Sequence, residues 1–426
     1  MISSISVNFF LALWIARLKS GKGSQKRRKQ QRCVLVLSVI FNVGLLWFFK
    51  YFHTFALFLK DILGAKDMKI MEIALPLGIS FYTFQILSYV IDVYMGKCEV
   101  QRNFIHFALY VSFFPQLVAG PIVKYKDVAY QIENRKQDAV TIAVGIKRFI
   151  YGLSKKVIIS NTVAAVADSI FAVSYDEISS KWLWVATGLY TLQIYYDFSG
   201  YSDMAIGLGK MFGFDFLENF NYPYVSESIQ EFWRRWHISL SSWFKEYVYI
   251  PLGGNRKGKI RTNVNLCSVF LITGIWHGAT LNFVAWGCLH GLFSLLERGV
   301  LGKWLKRNKV KAINHVYTMA VVGVGWAIFR CDSMKEAWQL LKHMFLWTSN
   351  YHYVWYDFFS IRSLVVILIA VLLIGFIQDK NDRIRGILFA KDRVYPLELL
   401  LQTVLLIICI ILLIGGQYNP FIYFKF

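Results

Sequence analysis

The chain has 426 residues, of which 56% are hydrophobic and only 17% are charged. Soluble globular domains typically contain about 45–50% apolar residues and about a quarter charged residues, so this composition excludes an ordinary soluble protein and indicates a lipid bilayer. The net charge of +21 does not indicate nucleic-acid binding, because the basic residues cluster in short loops between apolar runs and no aromatic–basic groove motif accompanies them.

Residues 1–16 are predicted to form a short first helix. This segment lacks a leading basic region and a small-residue cleavage site, so it does not have the pattern of a cleaved signal peptide. Residues 17–32 follow with eight basic side chains and no acidic one. An excess of Lys and Arg beside a membrane span marks the cytoplasmic side, so this loop is predicted to be cytoplasmic.

Long apolar runs recur along the rest of the chain, and a membrane-spanning helix needs about 20 apolar residues. The candidate spans are residues 3–16, 33–59, 71–94, 104–122, 140–172, 182–208, 264–296, 314–330, 361–378 and 395–416. The block 264–296 is too long for one span, so the pattern predicts about 10 or 11 transmembrane or re-entrant segments. All are expected to be α-helical, because backbone exposed to lipid must satisfy its own hydrogen bonds.

Three polar segments separate the apolar blocks, at residues 123–138, 252–263 and 379–394. The second is basic and glycine-rich, which predicts a cytoplasmic loop. Residues 253–259 fit the pattern G-x-x-x-x-G-K, but Ile260 follows where a nucleotide-binding loop needs Ser or Thr to hold magnesium. The loop is therefore interpreted as a topology signal, with attraction of coenzyme A phosphates as the alternative.

The six cysteines form no C-x-x-C pair, and several of them lie in apolar runs. This pattern predicts packed thiols inside helices rather than disulfides or a structural zinc site. The sequence therefore predicts no metal site and no permanently bound cofactor. No internal repeat is visible, which weighs against a transporter built from paired halves.

Residues 231–251 carry aromatic and apolar side chains at spacings of three and four, which predicts one face of an amphipathic helix. These side chains are Trp233, Trp236, Leu240, Trp243 and Tyr247. Arg234 and Arg235 fall on other faces, and His237 lies at the edge of the aromatic stripe. Such a helix lies at the membrane interface or enters a water-lined cavity. His237 is then either an interfacial histidine without a role or a residue of the site.

The block 264–296 contains no Asp, Glu, Lys or Arg. As one helix it would be about 50 Å long against a hydrocarbon core of about 30 Å, so it must tilt strongly or break near Gly274 or Gly278. Trp276 and His277 lie near its midpoint, where a titratable group is costly to bury and indicates a polar cavity or a partner. His277 is therefore predicted to be catalytic, the alternative being a neutral core histidine.

Three more ionisable residues lie in the apolar blocks. In a continuous helix His290 would face about 140° away from His277, so a structural role is predicted for it. Asp197 and Asp203 close an apolar helix, and buried carboxylates in membrane helices need partners. The two arginines at 234 and 235, or a histidine, are the expected partners, in either structural pairing or support of catalysis.

Several motifs together resemble a known family. They are residues 75–85 (LPLGISFYTFQ), 114–122 (FPQLVAGPI), 197–203 (DFSGYSD), 231–240 (EFWRRWHISL) and 276–278 (WHG). In this order they are similar to the membrane-bound O-acyltransferases, and most similar to the bacterial alginate O-acetylation branch. The resemblance extends from about residue 35 to the closing residues 421–426.

The resemblance implies that residues 1–426 form a single helical domain around a central tunnel in the bacterial plasma membrane. Residues 1–32 would be the first helix with its cytoplasmic loop, and residues 71–300 the catalytic helices and re-entrant segments. Family members usually begin with one or two additional apolar segments before the point where this chain starts, so the chain is expected to be either a shorter variant or a sequence with a late start.

The resemblance also implies that His277, in the W-H-G motif, is catalytic and that His237 is the second family histidine. The residues expected to line the tunnel or support the site are Trp233, Arg234, Arg235, Trp236, Trp276, Asp197 and Asp203. The implied reaction transfers an acyl group from a cytoplasmic thioester donor, acetyl-CoA or an acyl carrier protein, toward a cell-surface polysaccharide. A separate extracytoplasmic acyltransferase often completes the transfer in this branch.

A hydroxyl is a poor nucleophile at neutral pH, so a base must take its proton, and a histidine with a pKa of about 6.5 suits this task. We expect His277 to be that base and His237 to orient the acceptor or stabilise the oxyanion. One alternative is D-alanyl transfer to teichoic acid from a carrier-protein thioester. The others are a polysaccharide or lipid transporter whose histidines relay protons and a structural scaffold.

Overall fold

The computed structural model describes eight stretches of the chain. They are residues 1–19, 25–65, 69–71, 73–118, 120–347, 353–379, 396–416 and 420–422. Every regular element within these stretches is helical, which confirms the all-α prediction. The chain divides into two compact units, Met1–Gln137 with Phe212–Leu217, and Asp138–Met211 with Glu218–Phe426. The loop predicted at 379–394 lies outside the described residues except for Asp379.

The first unit begins with two apolar helices. Its helices are α1 (Ile2–Lys19), α2 (Gln25–Leu63), α3 (Ile79–Met95), α4 (Phe104–Ser112), α5 (Phe114–Leu117) and α6 (Tyr125–Asn134). The first two share a buried polar cluster, in which Ser38 Oγ and Asn42 Nδ2 donate hydrogen bonds to Asn8 Oδ1 at 2.6 and 2.8 Å. Because lipid gives no hydrophobic drive between helices, such bonds help to hold apolar helices together.

The second unit contains the segments that carry the predicted site. Its helices are α7 (Ala139–Ser154), α8 (Asn161–Phe171), α9 (Ser180–Met211), α10 (Ile229–Arg235), α11 (Ile238–Phe244), α12 (Gly258–His277), α13 (Leu281–Arg298), α14 (Val300–Arg307), α15 (Lys311–Arg330), α16 (Met334–Phe345), α17 (Trp355–Phe358), α18 (Ile361–Leu372) and α19 (Pro396–Gly415). Two π-helical turns, Lys155–Ser160 and Lys245–Tyr249, extend α7 and α11. Turns of this kind occur often near functional sites.

Four described helices are long and apolar enough to cross a bilayer, namely α1, α2, α15 and α19. They confirm the spans predicted at the two ends of the chain and at 314–330. The span predicted at 104–122 is wrong as a single helix, because α4 ends at Ser112 and a separate short helix begins at Phe114, with Pro115 in its first turn. The span predicted at 361–378 is also too long, since α18 ends at Leu372.

Glycines let α7 and α9 approach each other at backbone distance. A Cβ atom at Gly145 would lie 2.7 Å from the carbonyl oxygen of Gly207, and one at Gly152 would lie 2.5 Å from that of Gly200. The two pairs are spaced by seven residues on each helix, so they form one continuous interface of small residues. This packing brings the carboxylates of α9 close to the basic side chains of α7 and its π-helical turn.

The uncharged block 264–296 is a helical hairpin rather than one long helix. α12 ends at His277, Gly278 is extended with φ −170° and ψ 165°, and α13 begins three residues later. The two helices are tightly packed, since a Cβ at Gly274 would lie 2.4 Å from the carbonyl oxygen of Phe283. The predicted break near Gly274 or Gly278 is confirmed. The prediction that His277 lies in the middle of a span is corrected, because the residue lies at the end of a helix.

Candidate active site

His277 lies in a cage of aromatic side chains. Its ring centroid is 4.8 Å from that of Trp276, 5.1 Å from that of Trp286 and 5.2 Å from that of Phe329, and all three contacts are edge-on. Only 4% of the residue is exposed. Trp286 comes from α13 and Phe329 from α15, so three helices fix the orientation of the imidazole and shield it from water.

Gly278 makes room for this cage. A Cβ atom at this position would lie 2.3 Å from the ring of Phe283. Phe283 in turn packs edge-on against Phe329 at 5.0 Å, and Phe329 contacts the imidazole. The W-H-G sequence therefore places a residue without a side chain where an aromatic ring of α13 crosses the hairpin turn.

His290 lies beside the same cage, against the prediction that it would face away from His277. Its ring centroid is 5.1 Å from that of Trp286, which also contacts His277. The prediction was wrong because it assumed one continuous helix, whereas the turn at Gly278 reverses the chain. Nδ1 of His290 accepts a hydrogen bond from the indole N–H of Trp233 at 3.3 Å, so Trp233 joins the site through His290.

The segment 231–251 is not the single amphipathic helix that its spacing predicts. α10 ends at Arg235, Trp236 is extended, and His237 adopts a left-handed backbone conformation with φ 44° and ψ 56° before α11 begins. The break turns both residues inward, leaving Trp236 2% and His237 1% exposed. The interpretation of His237 as an interfacial histidine is therefore wrong. A left-handed residue other than glycine carries strain, and such residues cluster at active sites.

A polar network holds His237 from the turn that precedes α10. Its Nδ1 lies 3.1 Å from Oδ1 of Asn219, and this oxygen also accepts from the backbone N–H and the hydroxyl of Ser239 at 3.2 and 2.8 Å. Because a backbone N–H can only donate, the Asn219 atom is the carbonyl oxygen, and Nδ1 of His237 carries the proton. His237 lies outside the predicted spans, and burial lowers its pKa to about 3, so the ring is neutral and Nε2 bears a lone pair.

Packed aromatic rings connect the two predicted catalytic histidines. Trp286 contacts Trp326 at 6.1 Å, and Trp326 contacts Trp236 at 4.9 Å. Trp236 lies 6.4 Å from Phe198, whose ring packs edge-on against His237 at 4.7 Å. The aromatic residues predicted at 233, 236 and 276 are therefore parts of one cluster between and around the histidines.

Asp197 is paired with a lysine of the π-helical turn. Its carboxylate accepts a hydrogen bond from Lys156 Nζ and another from the backbone N–H of Ile422 at 2.8 Å. Lys156 also donates to the carbonyl oxygen of Pro420 at 3.2 Å and lies 4.7 Å above the ring of Phe421. The pair therefore ties the C-terminal segment 420–422 to α9.

Asp203 is paired with two cations of α7 and its extension. It accepts from Arg148 Nε at 2.8 Å and from Lys155 Nζ at 2.6 Å. The predicted pairing of the α9 carboxylates with Arg234, Arg235 or a histidine is wrong. Arg234 is exposed, and Arg235 binds Glu231 and Asp379 instead. Both carboxylates bind cations of α7 and of its π-helical turn instead of the predicted partners.

A polar cavity of about 560 Å³ lies beside the start of α10, where residues of α13, α14 and α15 complete its lining. Its carboxylates are already engaged within the protein. Glu227 pairs with Lys311, Glu231 pairs with Arg235, and Glu297 accepts the backbone N–H groups of Ile229 and Gln230. The described residues contain no group of three or more His, Cys, Asp or Glu side chains that could hold a metal ion.

Three cations line the same cavity without an ion pair among the described residues. They are Arg234, Arg298 and Lys306. With Lys311 they make four cations against three carboxylates in the lining, so the cavity has one positive charge in excess.

Sequence reasoning missed Trp286, Phe329 and Asn219. Trp286 lies four residues before His290 on α13, and this i,i+4 spacing is a signal that was available. Phe329 and Asn219 give no comparable signal, because their contacts with the two histidines depend on how α15 and the turn before α10 pack.

Comparison with known proteins supports the family resemblance that the sequence motifs indicated. The profile of MBOAT, the membrane-bound O-acyltransferase family, matches residues 96–335. The chain is 44% identical over 335 residues to the probable alginate O-acetylase AlgI of Pseudomonas aeruginosa, covering 78% of this chain and 64% of that protein. It is 38% identical over 435 residues to the probable alginate O-acetylase AlgI of Pseudomonas putida, covering 97% and 88%. It is also 36% identical over 375 residues to the peptidoglycan O-acetyltransferase of Helicobacter pylori, covering 81% and 69%.

The matched region contains both predicted catalytic histidines and the α12–α13 hairpin. The chain therefore belongs to the membrane-bound O-acyltransferase family. It is a multi-pass bacterial membrane protein and an O-acyltransferase.

Proposed function

We propose that this chain transfers an acetyl group from a cytoplasmic thioester donor toward a hydroxyl of a cell-surface or exported polysaccharide. Similarity to alginate and peptidoglycan O-acetylating proteins supports a polysaccharide acceptor. The observation that carries the proposal is His277, an imidazole enclosed by three rings at the end of α12 within the region that matches the family.

His277 acts as the general base in the proposed reaction. It takes the proton of the acceptor hydroxyl while that oxygen attacks the carbonyl carbon of the thioester. The C–O bond forms, the C–S bond breaks, and the leaving sulfur takes the proton from the imidazole, so the products are an ester and a free thiol. Because 4% of His277 is exposed, substrate entry requires one of the caging rings to turn.

The tautomer of His237 supports one of its two predicted roles. With its proton on Nδ1 and directed to Asn219, the neutral ring presents a lone pair on Nε2. A lone pair accepts a hydrogen bond from a hydroxyl but cannot donate one to an oxyanion. We therefore assign His237 to orienting the acceptor, not to stabilising the oxyanion.

The polar cavity beside α10 is the proposed binding place for the phosphates of the donor. Its unpaired cations suit coenzyme A or the phosphopantetheine of a carrier protein, which favours this place over the basic loop at 252–263. Glu297 of the cavity and Trp286 of the cage lie about 16 Å apart along the axis of α13. A donor held by its phosphates thus extends its thioester arm along α13 toward His277.

A separate extracytoplasmic acyltransferase completes transfer to the polymer in this scheme.

The test measures transfer of labelled acetyl groups from acetyl-CoA by membranes that contain equal amounts of the wild type or His277→Ala. Loss of a general base should lower the rate by about 100-fold or more. His106→Ala is the matched control, because His106 lies on α4 in the other unit, and it should keep wild-type activity. Wild-type activity in His277→Ala would refute the proposal.

Two further arms separate the alternative functions. Labelled D-alanine offered on its carrier protein would be transferred in place of acetate by a teichoic acid D-alanyltransferase. A transporter would export polymer in the wild type, lose export in His277→Ala, and show no acyl transfer in either membrane.

A further inference from the structure

His290 is a completely buried histidine that the proposed reaction does not use. None of its surface is exposed, and its Nδ1 accepts a hydrogen bond from the indole N–H of Trp233 at 3.3 Å. An indole N–H only donates, so the neutral His290 ring carries its proton on Nε2. A residue of α10 therefore selects both the tautomer and the orientation of this imidazole.

The opposite edge of the His290 ring faces Gly325 of α15. A Cβ atom at Gly325 would lie 2.7 Å from Nε2, so a larger residue there would push the ring out of place. Four residues later the same helix presents Phe329, one of the rings that enclose His277. His290 thus fits between α10 on one side and the cage-forming helix α15 on the other.

Between these contacts His290 packs on Trp286. The ring centroids are 5.1 Å apart at an interplanar angle of 70°, and Trp286 meets His277 at 5.1 Å and 87°. Trp286 is 1% exposed, and close-packed interiors leave little space to absorb a displaced ring. A shift of His290 is therefore passed on to the indole that orients His277.

We infer that His290 is a positioning residue, which sets the orientation of His277 through Trp286, and that Gly325 sets the place of His290. This inference rests on the proposed function, in which His277 takes the proton of the acceptor. His290 touches neither the substrate nor the reacting atoms. Misplacement of a reacting group raises the barrier of the chemical step. A displaced His290 should therefore lower kcat and leave the KM for the donor unchanged.

The first test compares two glycines of α15. Gly325→Ala should lower kcat by roughly ten- to a hundred-fold, while the KM for acetyl-CoA stays within about two-fold of wild type. Gly323→Ala is the matched control, and it should have wild-type kinetics. Among the described residues of the other helices, only Thr187 Cγ2 would lie within 4 Å of its Cβ, at 3.9 Å. Equal kcat values for the two folded variants would overturn the inference.

The second test changes His290 itself. His290→Asn keeps an acceptor for the Trp233 indole N–H and should retain part of kcat, whereas His290→Phe keeps a ring without an acceptor and should lose more. Gly325→Ala combined with His290→Ala should be no slower than His290→Ala alone, because the crowded ring is gone. Additive losses of kcat in the Gly325→Ala, His290→Ala double variant would contradict the inference. Equal kcat values for His290→Asn and His290→Phe would also contradict it.

If Gly325→Ala does not fold, Trp233→Phe decides the question, since it removes the indole donor without adding volume. A lowered kcat at unchanged KM supports the inference, and wild-type kcat overturns it. Failure of the proposed function is recognised separately, because His277→Ala would then be active. If His277→Ala is inactive and the His290, Gly325 and Trp233 variants have wild-type kcat, only the positioning role is refuted.

Discussion

The side-chain carbonyl oxygen of Asn219 lies 3.1 Å from Nδ1 of His237 and fixes the proton of that imidazole on Nδ1. Asn219 lies within the region 96–335 that matches the family profile but outside the five motifs that first indicated the resemblance. The hydrogen-bonding capacity of a family histidine is therefore set by a residue in the turn before α10, 18 positions earlier in the chain.

Asn219→Leu should lower the rate of acetyl transfer by roughly ten-fold or more, because it removes the acceptor that selects the tautomer of His237. Asn219→Asp keeps an acceptor at the same place and should retain more activity than the leucine variant. The kinetics of acetyl transfer by equal amounts of folded protein check this order. Ser202→Ala is the control, since it removes only the acceptor of the Asn219 amide N–H. Higher activity in Asn219→Leu than in Asn219→Asp would contradict the prediction.

His237→Gly should be more stable than His237→Ala by about 1 kcal/mol, although both should lose activity. The reason is the left-handed backbone of residue 237, at φ 44°, which costs a residue with a Cβ about 1–2 kcal/mol and costs glycine little. Thermal unfolding of the two variants in one detergent gives the difference. Equal stability would mean that the backbone there is not strained, and activity in either variant would remove His237 from the mechanism.

The W-H-G site was predictable because its evidence is local. An uncharged block that is too long for one span must tilt strongly or break, and the glycines at 274 and 278 are the places where it can break. The aromatic cage around the imidazole does not follow from that length, because Trp286 and Phe329 come from other helices. The direction of the chain after the break was not predictable. It depends on the contact of Gly274 with the backbone of Phe283. The prediction for His290 was wrong because the direction of α13 after the turn was not known from the sequence.

The segment 231–251 shows why helical spacing alone misleads. Its apolar residues recur at three and four positions, yet the helix stops at Arg235 because His237 is held by Asn219, Ser239 and Phe198. Spacing contains no information about these tertiary contacts. The partners of the α9 carboxylates were missed for the same reason, since the glycine pairs that bring α7 against α9 are recognisable only in three dimensions.

Lys156→Met should destabilise the protein by about 3–5 kcal/mol, because it leaves the Asp197 carboxylate buried without its cation. Both side chains are nearly inaccessible, at 7% and 1% exposure. Combining Lys156→Met with Asp197→Leu should recover a large part of the loss, since the unpaired charge is removed as well. Equilibrium denaturation in detergent measures the double-mutant cycle.

The control for this cycle is an exposed ion pair. Asp168 binds Arg330 and is 59% exposed, so Asp168→Asn should cost at most about 1 kcal/mol. If the Lys156 and Asp197 double variant is no more stable than Lys156→Met, the buried pair does not account for the loss.

The stability of wild type should approach that of Asp138→Asn as the pH falls below about 4. Asp138 caps α7 and accepts the backbone N–H of Thr141 at 2.7 Å, and this hydrogen bond lowers the pKa of Asp138 below its ordinary value of 3.8. A carboxylate with a lowered folded pKa contributes stability above its unfolded pKa and loses it as the pH falls through the folded pKa. The asparagine keeps an oxygen acceptor but does not titrate. Thermal unfolding between about pH 3 and pH 6 measures both curves, and parallel curves would contradict the assignment of the cap.

Gly278→Ala should lower kcat by roughly ten-fold or more, although any residue can adopt its backbone. Its φ of −170° is ordinary extended geometry, so the effect is steric. A Cβ would lie 2.3 Å from the ring of Phe283, and that ring packs on Phe329, which contacts His277. Gly188→Ala on α9 is the matched control, because no described residue of another helix would lie within 4 Å of its Cβ. If both alanine variants fold and transfer acetyl groups at the wild-type rate, the cage around His277 tolerates displacement, and its packing does not set the geometry of the base.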